Sequence, residues 1–180
     1  MRPIADVYRE LCETPSDINE HLRHFVELAT RINAHRVIEL GVRHGVSTVA
    51  WLHAMELTGG HLWSADRDFP SEDGPVRTVP HDRWTFVLGR DDAPETLQAL
   101  PPICDLVFID TAHTLAQTMT ELELYARRVR SGGYIILHDT LENAVEPDYP
   151  VRTAIERFTS IRRATWANYP YNNGLGVISL

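Results

Sequence analysis

The first 34 residues of the chain predict two amphipathic helices. One covers about Ile4 to Leu11, and the second begins near Ser16 or Asp17, which are its candidate N-caps. The second helix spaces its apolar residues at intervals of three and four positions, which places them on one face. These residues are Ile18, Leu22, Phe25, Leu28, Ala29 and Ile32.

From residue 35 onward, short apolar runs alternate with helical patterns. The predicted strands are Val37–Leu40, His61–Asp66, Trp84–Leu88, Asp105–Asp110 and Tyr134–Leu137. The predicted helices are Ser47–Leu57, a short helix at Pro94 capped by Asp92, a helix opened by Thr114 and Gln117 and closed by Gly132-Gly133, and Val151–Thr159. The loop Arg67–Asp82 is rich in proline and is expected to be irregular.

Two final apolar runs, Ala164–Tyr169 and Leu175–Leu180, flank Asn172-Asn173-Gly174 and predict an antiparallel hairpin. Strands that alternate with helices are typical of a parallel sheet covered on both faces. The pattern therefore predicts an α/β fold with a Rossmann-like, doubly wound, mostly parallel sheet and the hairpin at one edge. We predict that residues 1–180 form a single domain, with N-terminal helices in 1–34 and the core in 35–180.

The composition of the chain excludes several classes of function. The chain has 180 residues, 43% of them hydrophobic, and a formal net charge of −8, which argues against a nucleic-acid partner. No long apolar run occurs, so we expect no membrane partner and a cytoplasmic location. Cys12 and Cys104 lie too far apart for a zinc ribbon. All 17 basic residues are arginine, so a base near neutral pH must be a histidine or a carboxylate.

Each predicted parallel strand is followed by an acid, a glycine or both. These positions are Glu39 with Gly41, Asp66, Gly89 to Asp91, Asp110, and His138 with Asp139. Ligands of open parallel sheets bind beyond the carboxyl ends of the strands, so this set predicts a ligand site. The bland alternative is that strand ends are simply exposed, and that Asp110 and Asp139 only cap the segments that follow.

The loop after the first strand, Glu39–Ser47, predicts the cofactor. Gly41 permits a sharp turn, Gly45 permits close approach of a ligand, and the following helix N-terminus offers free amides to an anion. Its G-x-x-x-G spacing differs from the G-x-G-x-x-G of dinucleotide sites and suits enzymes that use S-adenosylmethionine. The predicted cofactor contacts are Glu39, Gly41, Gly45, Ser47, Asp66, Gly89, Asp91 and Asp110.

The stretch from Val37 to Leu180 resembles the class I S-adenosylmethionine-dependent methyltransferases. Three passages, Phe108–His113, Gly132–Thr140 and Asn172–Ile178, resemble a narrower group. That group contains the small magnesium-dependent O-methyltransferases of macrolide sugars, together with the cephalosporin-hydroxylase-like and polysaccharide O-methyltransferases. The resemblance implies an enzyme that transfers a methyl group from S-adenosylmethionine to a hydroxyl of a small molecule or saccharide.

The resemblance also implies site residues. Asp110 and Asp139 match positions that bind Mg²⁺, and His113 matches the catalytic base. His138 stands where some of those enzymes have a glutamate and is counted as a third metal residue. Imidazole is a poor ligand for Mg²⁺ and suits zinc or iron better, so His138 puts the metal in question.

Three other functions stay open at this point. One is metal-independent methylation with His113 or His138 as the base and structural aspartates. The second is a nicotinamide-dependent oxidoreductase, which would need a pyrophosphate loop that Gly41 and Gly45 do not supply. The third is a non-catalytic binding domain. The N-terminal helices could serve as a homodimer contact in any of these proteins.

Overall fold

A computed structural model describes residues 1–80, 82–141 and 150–180. The helices are α1 (Ile4–Glu13), α2 (Leu22–Arg31), α3 (Val46–Thr58), α4 (Pro94–Ala99), α5 (Leu115–Tyr125) and α6 (Pro150–Arg162). The strands are β1 (Arg36–Leu40), β2 (His61–Asp66), β3 (Trp84–Leu88), β4 (Cys104–Ile109), β5 (Val129–His138), β6 (Thr165–Tyr169) and β7 (Leu175–Ser179). Short 3₁₀ turns cover Asn19–His21 and Pro75–Thr78.

Over these residues the strands form one seven-stranded sheet with the order β3-β2-β1-β4-β5-β7-β6. Strands β1 to β5 are parallel, and β7 pairs antiparallel with both β5 and β6. The chain runs outward from β1 to β3 and then returns to place β4 on the other side of β1. The predicted doubly wound sheet and its C-terminal hairpin are confirmed, and the β1–β4 boundary is the switch point where ligands bind in such sheets.

Two apolar layers cover the sheet. Helices α1, α2 and α3 form one layer, where the Phe25 ring stacks on Trp51 with centroids 4.7 Å apart and contacts Phe108 of β4 at 4.9 Å. Helices α5 and α6 pack on the opposite face through residues such as Leu122 and Phe158. Burying both faces explains why the central strands read as continuous apolar runs rather than alternating ones.

The two predicted N-caps of helices α2 and α4 are wrong. Helix α2 begins only at Leu22, after the 3₁₀ turn, and the Ser16 hydroxyl instead accepts a hydrogen bond from the backbone N–H of Ile18. Helix α4 has no side-chain cap, because the Asp92 carboxylate binds the guanidinium of Arg90. In both cases the side chain that would have capped the helix binds a nearby group instead.

The predicted helix end at Gly132-Gly133 is also wrong. Helix α5 ends at Tyr125, and the glycine pair lies inside the ten-residue strand β5. Pairing with the C-terminus decides this, because Gly132 donates its N–H to the carbonyl of Leu180 and Gly133 accepts from the Leu180 N–H. Contacts between residues so far apart in sequence override the local glycine signal.

The proline-rich loop after β2 is irregular as predicted, apart from its 3₁₀ turn; residue 81 lies outside the described residues. Val76 and Val79 are both fully buried in the α1–α3 layer. The loop is therefore part of the core on one side and borders the ligand site on the other.

Candidate active site

Two adjoining cavities open at the carboxyl ends of the parallel strands. The larger has a volume of about 420 Å³ and the smaller about 110 Å³. Predicted site residues in the larger cavity are Gly41, Asp66, Gly89, Asp91 and Asp110. The smaller cavity is lined by Asp17, Ile18, Gly41, Val42, Arg43, His44, Val46, Ser47, Asp110, Thr111 and His113. Gly41, Asp110 and Thr111 line both cavities, so the two form one continuous candidate site.

Gly41 lets the ends of β1 and β4 come together. Its φ is +86°, and a Cβ at this position would overlap the backbone carbonyl oxygen of Asp110. Gly45 has a different role from the predicted one, because it lines neither cavity. A Cβ on Gly45 would lie 2.5 Å from Cγ1 of Val76, so packing of the proline-rich loop, rather than approach of a ligand, requires glycine there.

Asp66 ties the end of β2 to the loop that follows β1. Its Oδ2 accepts hydrogen bonds from the backbone N–H groups of Val42 at 2.7 Å and Arg43 at 3.2 Å. Its Oδ1 accepts from the N–H of Asp68 at 3.1 Å. The carboxylate is held at the wall of the larger cavity with lone pairs available to accept from a ligand.

Glu39 lies beneath the loop instead of in a cavity. It has no exposed surface, and its carboxylate accepts hydrogen bonds from the hydroxyls of Ser47, Thr48 and Ser64 at 2.6 to 2.8 Å. Burial raises the pKa of Glu39 to about 7, although the three hydroxyls oppose that rise. The structure therefore makes Glu39 a support for the loop and leaves Ser47 at the wall of the smaller cavity.

Asp110, His113 and Asp139 form a compact cluster next to both cavities. Nε2 of His113 lies 2.9 Å from Oδ1 of Asp110 and 3.1 Å from Oδ2 of Asp139. His113 and Asp139 both have a positive φ, +53° and +59°, which is uncommon for residues other than glycine and clusters at functional sites. In the described chain this is the one group of histidine, cysteine and acidic side chains with ligand atoms close enough to share a metal ion.

His138 is not part of that ligand group. Its Nε2 faces the backbone carbonyl oxygens of Asp17 at 3.1 Å and Asn172 at 3.2 Å, and its side chain is 2% exposed. Carbonyls only accept, so Nε2 carries a hydrogen and has no lone pair for a metal. Nδ1 lies 3.3 Å from Oδ2 of Asp139 and 3.6 Å from Oδ1 of Asp110. The group of possible metal ligands in the described chain thus contains His113 and not the predicted His138.

The aspartates and histidines of the cluster shift one another's pKa values. Burial opposes ionisation of Asp110, but hydrogen bonds from His113 and His138 outweigh it and hold the pKa of Asp110 well below its usual value. Burial alone would lower the pKa of both histidines. The carboxylates reverse this, raising the pKa of His113 and raising the pKa of His138 to about 10. His138 is thus a buried cation between two aspartates.

Residues 38–140 match the family model described as a methyltransferase domain. The chain belongs to this methyltransferase family. No curated protein sequence matches the chain. None of the helices described in this methyltransferase has both the length and the apolar character that crossing a membrane requires.

Solved structures of methyltransferases share the fold at low sequence identity. PaMTH1 of Podospora anserina, solved with bound SAH, is 16% identical with a TM-score of 0.68, and the match covers 98% of this chain and 86% of that chain. The O-methyltransferase of Bacillus cereus in complex with SAH is 17% identical, with a TM-score of 0.67 and coverages of 98% and 90%. The O-methyltransferase TomG of Streptomyces achromogenes, in complex with SAM, is 20% identical, with a TM-score of 0.67 and coverages of 98% and 87%.

One part of the site in this methyltransferase was not predicted from the sequence. The amide of Gln117 donates to the Asp91 carboxylate at 2.8 Å and to Glu121 at 3.2 Å, and the Thr111 hydroxyl donates to Glu121 at 2.6 Å. Glu121 is fully buried behind the larger cavity. The sequence pattern marks Gln117 only as part of a helix start, and the signal that could reveal the pair is its i, i+4 spacing to Glu121.

We expect Glu39 to make stability depend on pH. Its pKa is about 7 in the folded protein against 4.5 for a solvated glutamate, so its favourable contribution is complete below pH 4.5 and is lost as pH rises through 7. The free energy of unfolding of wild type relative to Glu39→Gln should therefore fall by about 2 kcal/mol between pH 5 and pH 8, as measured by urea denaturation. Glu123→Gln, at an exposed position of α5, is the control. A pH-independent difference for Glu39→Gln would contradict this assignment.

Proposed function

We propose that this methyltransferase transfers the methyl group of S-adenosylmethionine to a hydroxyl of a small molecule or saccharide, with His113 as the general base. The observation that carries the proposal is the placement of His113 between two carboxylates, at the wall of the smaller cavity and next to the larger one. The bound SAH and SAM in the PaMTH1, Bacillus cereus and TomG structures support the choice of cofactor.

The larger cavity has the size of a small-molecule site, and its residues suit an adenosine. Asp66 would accept hydrogen bonds from the ribose hydroxyls, and the base would reach the corner formed by Gly89 and Asp91. The smaller cavity, with Ser47 and the start of helix α3, would take the charged methionine end. In this placement the cofactor spans Gly41, and its methyl group lies near Asp110.

The chain's own residues can manage the proton. The acceptor oxygen attacks the methyl carbon, a C–O bond forms, the C–S bond breaks, and sulfur keeps the electron pair. Because carboxylates only accept, Nε2 of His113 carries a hydrogen that it donates to Asp110 and Asp139, and the neutral ring has its lone pair on Nδ1. The acceptor's proton would be held at Nδ1, and the two carboxylates would stabilise the resulting imidazolium.

The same cluster fits a divalent metal ion. Asp110 and Asp139 are the oxygen ligands that Mg²⁺ prefers, and His113, in place of the predicted His138, stands close enough to be a third ligand. A bound ion would supply Lewis acidity that lowers the pKa of the acceptor hydroxyl. A neutral imidazole that binds a metal through Nε2 carries its hydrogen on Nδ1 and cannot accept a proton there, so a reaction without a metal is the second candidate. In that reaction the Nε2 hydrogen of His113 stays on the two carboxylates, at 2.9 and 3.1 Å.

The acceptor class follows from charge and size. The net charge of −8 disfavours polyanionic acceptors, and the compact site suits a neutral hydroxylated molecule. The saccharide acceptor and the homodimer contact of the N-terminal helices remain predictions, as does the cytoplasmic location.

Asp66→Ala is expected to weaken S-adenosylmethionine binding at least tenfold, because it removes hydrogen bonds to a charged group that contribute about 1.5–3 kcal/mol. Isothermal titration calorimetry measures the affinity. Asp73→Ala, at an exposed position of the proline-rich loop, is the matched control and should bind like wild type. Equal affinity of Asp66→Ala and wild type would remove Asp66 from the cofactor site.

If a metal takes part, a chelator should abolish turnover and a divalent ion should restore it. Asp139→Asn should then lose the metal-dependent rate while keeping nearly the affinity of wild type for S-adenosylmethionine, since Asp139 does not line the larger cavity. Initial rates with and without added Mg²⁺, Mn²⁺ or Zn²⁺ provide the measurement. Turnover that is indifferent to chelator would establish the metal-independent reaction instead.

His113→Ala should lower turnover by roughly 10²–10⁴-fold, the range for loss of a positioned general base, with little change in cofactor affinity. His35→Ala, at an exposed position ahead of β1, is the control and should retain the wild-type rate. Near-normal turnover of His113→Ala, together with an inactive His138→Ala that still folds, would transfer the role to His138.

A further inference from the structure

At the Asp91 end of the larger cavity, the carboxylate oxygens outnumber the hydrogen-bond donors that face them. Glu121 is fully buried, and while its Oε1 accepts from Thr111 and Gln117, its Oε2 has no hydrogen-bond partner in the described structure. Asp91, on the segment after β3, accepts from the same Gln117 amide that donates to Glu121, so the two carboxylates lie side by side. A negative charge on a buried oxygen without a donor is costly, so we expect the pair to hold one proton.

Burial decides which residue carries that proton. Glu121 has no exposed surface, whereas Asp91 lines the cavity and is partly exposed, so a negative charge costs more on Glu121. Burial, followed by the hydrogen bond and charge of Asp91, raises the pKa of Glu121 to about 9. Tyr125 and Arg90 also lie beside the pair. The Tyr125 hydroxyl donates to the backbone carbonyl of Asp91 at 2.6 Å and does not compete for the carboxylate. The Arg90 guanidinium donates to Asp92 instead, from Nε at 3.0 Å and from Nη2 at 2.8 Å.

A count of hydrogens shows what this corner offers a ligand. Both amide hydrogens of Gln117 are taken by Asp91 and Glu121, and the hydroxyl hydrogen of Thr111 is taken by Glu121. Because Thr111 and Gln117 both donate to Glu121, the carboxylic acid hydrogen of a neutral Glu121 would have Asp91 as its acceptor. These four side chains therefore leave lone pairs on Asp91 and no free donor, so a ligand group that meets Asp91 must itself donate.

We propose that Glu121 is a positioning residue, a neutral carboxylic acid that orients Asp91 as a hydrogen-bond acceptor and thereby selects a purine with an exocyclic amine over a 6-oxopurine. The inference rests on the proposed use of S-adenosylmethionine and adds the residue that sets the base specificity of the cofactor site. An adenine amine donates to Asp91, whereas the 6-oxo group of hypoxanthine would place an acceptor against an acceptor.

The test measures binding of S-adenosylhomocysteine and S-inosylhomocysteine, which differ only at the purine, by calorimetry at pH 7.5. Wild type should prefer the adenine ligand by roughly tenfold to a hundredfold, as expected for one hydrogen bond to a charged group. Glu121→Leu should lose most of this preference. Glu121→Gln should keep it, because its amide can donate to Asp91 while its carbonyl accepts from Thr111 and Gln117. Glu123→Leu, on the exposed face of the same helix, is the control.

Each outcome supports or contradicts the proposed role of Glu121. A Glu121→Leu protein that weakens both ligands by the same factor would show a merely structural role, and a Glu121→Gln protein without the preference would overturn the neutral acid. Wild type that binds neither ligand would instead refute the proposed function. If Glu121→Leu does not fold, the infrared difference spectrum of wild type minus Glu121→Gln at pH 7.5 is decisive. It should contain the carbonyl stretch of a protonated carboxylic acid, and its absence would refute the proposal.

Discussion

The site depends on the close approach of two strand ends, β1 at Gly41 and β4 at Asp110. The approach is possible because Gly41 has no Cβ to meet the Asp110 carbonyl. It brings the Asp110 carboxylate into the cleft between the two halves of the sheet, where His113 and His138 both reach it. Binding of a proton or a cation at this site therefore depends on the Asp110 carboxylate staying ionised at the switch point.

The fold could be predicted from the sequence because burial on both faces of a sheet leaves a strong signal. Strands β2 and β3 begin and end where the apolar runs do, and the hairpin flanks the predicted Asn172-Asn173-Gly174 turn. The misplaced helix end falls where a distant contact outweighs a local preference. The Gly132-Gly133 pair joined β5 because the chain's last residue pairs with it, and no local pattern encodes that pairing.

Some residues of the candidate site could be predicted from the sequence, and others could not. Strand ends point to the right edge of the sheet, so sequence order predicts Asp66, Asp91 and Asp110 at the site, whereas His113 is implied by the family resemblance. The direction in which a side chain points was harder to predict. Glu39 turns beneath the loop to three hydroxyls, and Glu121 is buried behind the cavity wall on a helix whose capping residues, Thr114 and Gln117, mark only where the helix begins. These roles depend on burial and on hydrogen-bond partners from other elements.

The contacts of His138 have a consequence for how the site is held together. Its ring binds the backbone carbonyls of Asp17, ahead of helix α2, and of Asn172, in the turn between β6 and β7. The same ring lies beside Asp110 and Asp139. Loosening of either segment would leave this buried ring without one of its acceptors. The N-terminal segment and the C-terminal hairpin therefore brace the acidic cluster, although neither contributes a residue to the group that could bind a metal.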